Sequence, residues 1–126
     1  DMRSLNVAKL ENLKDSTISL IKEVVEAGNG EVSFEIVEGC PAVELSKDHA
    51  CIKLAENAAK NLGFPVELKV TGGCSDGNYL CGYGLPCGLL ATGMSNVHTT
   101  QEYLKEEDLY NTAKWTYEII KEAAKK

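Results

Sequence analysis

The apolar residues change their period at Gly28-Asn29-Gly30, and that change limits what the chain can become. Before it, Leu10, Leu13, Leu20, Ile21, Val24 and Val25 recur at helical spacing, while Lys9, Glu11, Lys14, Lys22 and Glu23 occupy other faces. This predicts a helix with one buried stripe, capped by Asn6 and stopped by the glycines. After the change, Val32, Phe34 and Ile36 alternate with Glu31, Ser33 and Glu35, the pattern of a strand with one wet face. A short stretch ending at Leu5 completes a strand-helix-strand unit, which needs further strands to be stable.

Gly39-Cys40-Pro41 breaks regular structure, and the segment to Leu45 reads as a connection between two subdomains. Ser46 is expected to cap a second helix, in which Ile52, Leu54, Ala55, Ala58, Ala59 and Leu62 form a narrow, alanine-rich face that ends at Gly63. Val66, Leu68 and Val70 then alternate as a strand running into Gly72-Gly73. A short helix over 76–82, a buried strand over 85–91 entered at Pro86, and a loop over 92–100 follow. A final helix over 105–125 is expected to bury Leu109, Ala113, Thr116 or Tyr117, and Ile120, with lysines at its end matching the helix dipole. The expected fold class is α/β (α+β): a strand-helix-strand portion over 1–40, then a helix-strand-strand-helix portion over 41–126.

At 126 residues, 44% hydrophobic and 25% charged, the chain has the size and balance of one soluble domain with one core. A formal net charge of -6 argues against a nucleic-acid partner, because phosphate binding needs a basic patch. No apolar run approaches the roughly 20 residues that cross a bilayer, so no membrane span is expected. The five cysteines, at 40, 51, 74, 81 and 87, form no CxxC pair, and an odd number cannot all pair within one chain. With no charged-then-apolar leader before Asp1, they read as reduced, half-buried thiols in a cytoplasmic protein. Asp1 is not an initiator methionine, which reads as processing or as excision from a longer chain.

The chemistry-bearing residues gather between Thr71 and Tyr103. Gly72, Gly73 and Gly77 permit positive φ and a nest of backbone N–H groups, to which Ser75 adds a hydroxyl. No GxGxxG and no Gly-Lys-Ser/Thr follows, so this is not a phosphate loop, and a plain strand-to-helix turn fits as well as a carboxylate-binding one. Asp76 suits a cap, a loop tether or a metal. His98 sits in a Gly/Asn-containing loop after a buried apolar strand, where α/β proteins place ligands, although a loop histidine alone is more often a surface residue. Glu102, four residues on, suits either an acceptor for the His98 ring or the first acid of a helix.

Two competing arrangements carry less weight. Cys74 or Cys81 as a nucleophile activated by His98, or three cysteines with that histidine as zinc ligands, lack both CxxC spacing and a nucleophile signature. His49, beside Lys47 and Asp48, reads as a solvated first-turn residue. Arg3, beside a short strand, has the fork to grip a carboxylate, though a surface role has the larger prior.

Taken as one line, GGCSDGN, the GLP turn, LATGMSNVHTTQEY and the helix beginning KEEDLYNTAKW resemble the carboxyl-terminal end of M20-family metallopeptidases of the peptidase T-like, tripeptide aminopeptidase type. DMRSL followed by a long helix resembles the second half of that family's lid, or dimerisation, domain. The resemblance implies a two-zinc aminopeptidase acting on short peptides and dimerising through its lid. It implies that His98 is the last metal ligand and Arg3 the lid arginine that binds a substrate carboxylate. Gly72, Gly73, Ser75, Asp76 and Asn96 would line the pocket. Cys74 stands where relatives often have another glycine. The family's HxD motif, bridging aspartate, Glu-Glu pair and lid histidine have no counterparts in this sequence, so a carboxyl-terminal fragment inactive by itself is expected.

Overall fold

The structure, a computed structural model, describes residues 1–43 and 45–125; Glu44, inside the predicted connection, lies outside them. Four helices form: α1 (Val7–Ala27), α2 (Ala50–Asn61), α3 (Asp76–Gly82) and α4 (Glu106–Ala123). Among the described residues there is no sheet, only an isolated antiparallel bridge between Ser95 and Tyr103. The expected α/β class is therefore not what this chain builds. Residues 31–36, 66–70 and 85–91, predicted as strands, belong to no ladder. Alternation or an apolar run shows what a segment would bury, but a strand exists only through hydrogen bonds to a neighbour, and the described residues supply no ladder.

The chain divides into two compact units, Asp1–Glu44 with Thr71–Leu85, and Leu45–Val70 with Pro86–Lys126. In the first unit, α1 begins where the Asn6 side chain accepts from the Lys9 N–H at 3.0 Å, and ends at Gly28, followed by Asn29 at φ 54°. Its predicted stripe is not buried: Leu13, Leu20, Ile21 and Val24 are all exposed. Among the described residues, a small clasp joins 40–41 to 74–82. Cys40 and Cys74 form a disulfide with a Cα–Cα distance of 6.4 Å, contrary to the expectation of reduced thiols throughout. Beside it, Asn78 Nδ2 donates to the Pro41 carbonyl at 3.0 Å, and Gly82 lies so close to the Pro41 ring that a Cβ would meet its Cγ at 3.0 Å.

The second unit is organised by α2 against α4, the one pair of described helices that pack together. His49 rather than Ser46 is the N-cap of α2; the Ser46 hydroxyl accepts from the Asp48 N–H one turn earlier. Ala58 and Ala59 are fully buried, so the alanine face does what its small side chains permit, which is close backbone approach. On α4 the face turned inward is not the predicted one. Leu109, Tyr117 and Ile120 are exposed, while Trp115 and Glu118 face α2. Trp115 Nε1 donates to the Ala55 carbonyl at 2.9 Å, and Asn61 Nδ2 donates to Glu118 at 3.2 Å and to Glu122 at 2.6 Å.

The single core expected from composition is likewise absent. Among the described residues the buried hydrophobics are Ala58 and Ala59.

Candidate functional site

The sequence-predicted site residues fall into two groups, one in each unit. In the first unit, Arg3 Nη1 donates to the Gly72 carbonyl at 2.5 Å, while Nε and Nη2 donate to the two carboxylate oxygens of Asp1 at 2.9 and 2.6 Å. The guanidinium thus holds a carboxylate in the two-bonded manner its fork favours, and that carboxylate is the chain's own. The turn after it is set by short-range bonds. Thr71 Oγ1 accepts from the Gly73 N–H at 2.9 Å, and Asn78 Oδ1 accepts from the Ser75 N–H at 3.0 Å. Ser75 is the N-cap of α3 and Asp76 its first residue, where a carboxylate suits the helix dipole. No left-handed residue occurs in this turn: the described glycines at positive φ are Gly63, Gly84 and Gly93. The nest that Gly72, Gly73 and Gly77 would permit is not adopted.

In the second unit, residues 95–103 form a closed loop. Ser95 and Tyr103 exchange backbone hydrogen bonds at 3.0 and 3.2 Å, which shuts its base. Inside it, the Asn96 carbonyl accepts from Thr99 Oγ1 at 2.7 Å, and Asn96 Nδ2 donates to the Gln101 carbonyl at 3.4 Å. Asn96 and His98 both adopt left-handed backbone conformations, φ 52° and 65°, which is uncommon away from glycine and tends to occur where a chain is held for a purpose. The Glu102 carboxylate accepts from the His98 backbone N–H at 2.8 Å. Glu102 therefore anchors the histidine's backbone rather than its ring, and the His98 residue is exposed.

These donors alone do not make a metal centre. Among the described residues no three of His, Cys, Asp and Glu gather to hold an ion. A catalytic zinc needs three protein ligands, and His98 offers one. A cavity of about 340 Å³ in the same unit, lined by Phe64, Pro65, Gly93, Asp108 and Trp115 among others, includes none of the site residues.

One pairing was not anticipated. His49 Nδ1 lies 3.0 Å from Cys51 Sγ and accepts from the Cys51 N–H at 3.3 Å, so the residue read as solvated is half-buried and capping α2. The signal was the His-x-Cys spacing at a helix start, where a side chain turns back onto the second following residue.

A model of peptidase family M20/M25/M40 matches residues 6–122. The Bacillus subtilis protein YqjE, described as uncharacterized, is 33% identical over 125 residues, covering 99% of this chain and 34% of that protein. Peptidase T of Lactobacillus helveticus is 32% identical over 101 residues, 75% of this chain and 24% of its own. The crystal structure of aminopeptidase PepT from Bacillus cereus matches with a TM-score of 0.86 at 30% identity, over 97% of this chain and 33% of that one. This chain spans about a third of the length of the relatives that match nearly all of it. With the family match taking in all but the ends, the chain belongs to peptidase family M20/M25/M40.

Proposed function

We propose that this chain is part of a metal-dependent peptidase that hydrolyses short peptides, and that His98 is one of its metal ligands. The observation that carries the reading is the loop 95–103: a base closed by Ser95 and Tyr103, a left-handed backbone at His98, and a carboxylate holding that backbone in place. Such a loop fixes where the imidazole starts and leaves the residue exposed to ligands from elsewhere. Relatives named peptidase T and aminopeptidase support the reaction class. Zinc is the proposed metal and tripeptides the proposed substrate; the metal, when bound, supplies Lewis-acid activation of the attacking water.

This chain's own residues bind and orient. Arg3 already grips a carboxylate in the two-bonded mode a peptide terminus would need, and Gly72, whose carbonyl it also holds, opens the turn through Gly73, Ser75 and Asp76 that would line the pocket. Asn96, two residues before His98, would bind substrate from the histidine loop. Residues 1–40 would belong to the lid, through which the protein would form a homodimer, and 41–126 to the catalytic part. The proposed compartment is the cytoplasm; among the described residues no helix is long and apolar enough to cross a membrane.

The test uses the full-length natural protein, assayed on tripeptides and on N-acyl amino acids, with metal content measured for the natural form and His98→Ala. Tripeptide cleavage that falls by orders of magnitude in His98→Ala, together with lost metal, supports the reading. Cleavage of acyl amino acids alone would move the proposal to an amidohydrolase, and an unchanged metal content in His98→Ala would end the ligand assignment.

A further inference from the structure

We infer that Cys40 and Cys74 form a reversible thiol–disulfide site, oxidised by a low-molecular-weight disulfide, that ties the glycine turn 71–75 to residues 40–41. Three observations carry this. The two cysteines are bonded, with Cα atoms 6.4 Å apart, within the range that allows a bridge without moving the backbone. Cys74 is exposed and Cys40 half-buried, so a small reagent reaches the pair, and exposed disulfides are the labile ones. The bond also stands where it matters to the chain. Its 34-residue separation encloses the segment Leu45–Val70 that belongs to the second unit, so Cys40 is near the point where the chain leaves the first unit and Cys74 near the point where it returns.

Other contacts among the described residues stand beside this bond. The first unit has no helix-on-helix packing and no ladder among its described residues. Beside the disulfide stand the Asn78–Pro41 bond, the Gly82–Pro41 contact and the Arg3–Gly72 bond. These keep the thiols near one another when reduced, which favours closure by raising their effective concentration. Oxidation then fixes the residue between Gly73 and Ser75 covalently.

The chemistry balances as two exchanges. The Cys74 thiolate attacks a small disulfide RSSR, forming a Cys74–SR bond, breaking the S–S bond of the reagent and releasing RS⁻. The Cys40 thiolate attacks the Cys74 sulfur, forming the Cys40–Cys74 bond and releasing the second RS⁻. Two protein thiols lose two electrons and two protons, and the reagent leaves as two RSH. In a reducing compartment such a bond is transient, which suits a sensor better than a structural staple.

The effect on peptide binding rests on the function proposed above, because it requires the turn to line the pocket; the bond itself does not. The test equilibrates the full-length natural protein with oxidised or reduced glutathione and maps Cys40 and Cys74 by differential alkylation and mass spectrometry. Hydrogen exchange across 71–75 and tripeptide hydrolysis are read in both states. The expected result is a Cys40–Cys74 cross-linked peptide that appears with oxidised and vanishes with reduced glutathione, slower exchange at 71–75 when oxidised, and a changed KM. In Cys40→Ser, Cys74 is expected to stop at the glutathione adduct. Alkylation of both cysteines after oxidation, pairing of Cys74 with another cysteine, or unchanged exchange overturns the site. A clasp that forms without altering hydrolysis overturns its link to the pocket alone, and absence of hydrolysis in both states counts against the peptidase reading instead.

Discussion

Trp115 on α4 donates its indole N–H to the Ala55 carbonyl on α2 at 2.9 Å, beside the fully buried Ala58 and Ala59. The bond is possible because alanines let the helices approach closely. Ala59→Leu would push them apart, and overpacking of this kind costs about 1–3 kcal/mol. Trp115→Phe keeps a ring but loses the donor, a change of about 1 kcal/mol. Urea unfolding followed by circular dichroism should rank Ala59→Leu as the more damaging, and equal midpoints for it and the natural sequence would remove α2–α4 packing as the organiser of that unit.

Much of the local chemistry is legible in the sequence, although His49 rather than Ser46 caps α2, and of what depends on a distant partner only the alanine face of α2 is. Asn6 as a cap, Gly28 as a stop and α3 over Asp76–Gly82 are written in neighbouring residues, and the structure has them. The inward face of α4 was misread because its apolar stripe at Leu109, Tyr117 and Ile120 was assumed to meet the chain's own core, whereas Asn61 on α2 selects the face carrying Glu118 and Glu122. The predicted strands fail for the same reason, since neither a period of two nor an apolar run says which segments pair. Type and spacing single out His98 and Glu102, but that Glu102 holds the backbone N–H follows from the left-handed turn at His98, which no spacing encodes.

Acid should loosen the α2–α4 contact. The Glu118 carboxyl is held below its ordinary 4.5 by hydrogen bonds from Lys121 first and then Asn61, and Glu122 is lowered by Lys125 first and then Asn61. A carboxyl whose folded pKa is depressed adds stability above its unfolded pKa and loses it as pH falls through the folded value. Unfolding should therefore become easier below about pH 4.5, with little change from there to neutrality. Asn61→Ala should flatten that dependence, as seen in urea midpoints across pH 2–6; an unaltered slope would show that Asn61 does not couple to either carboxylate.

Gly93 should tolerate no side chain. It sits at φ +85°, and a Cβ there would meet Asp108 Cβ at 2.7 Å and its Cγ and Oδ2 at 2.9 Å. Gly93→Ala combines a left-handed strain of about 1–2 kcal/mol with that clash. Asp108→Gly in the same chain removes the clash and leaves the strain, so the double variant should recover part of the lost melting temperature. No recovery would mean that backbone conformation alone sets the cost.

Glu102 should matter through its acceptor oxygen rather than its charge. Glu102→Gln retains an amide oxygen able to accept from the His98 N–H, while Glu102→Ala leaves that donor to water, at a cost of about 1 kcal/mol. Hydrogen exchange at the His98 amide should accelerate in the alanine variant and change little in the glutamine one. Equal acceleration in both would point to the carboxylate's charge as the anchor.

The exposed apolar residues make the broadest prediction. Val24 on α1, Val70, Leu89 and the α4 residues Tyr117 and Ile120 are all more than half exposed. Large apolar side chains left this exposed within each unit mark surfaces built to be covered. Burying a valine or leucine side chain is worth about 1.5–3 kcal/mol each, so leaving such residues in water forfeits much of what would offset chain entropy. The 126-residue chain alone should therefore bind a hydrophobic dye strongly, unfold with a shallow denaturant dependence and sediment as larger species with rising concentration. A monomeric, dye-silent chain with a steep two-state transition would show that these faces are covered by rearrangement within the chain, and the unpaired segments would then have found partners of their own.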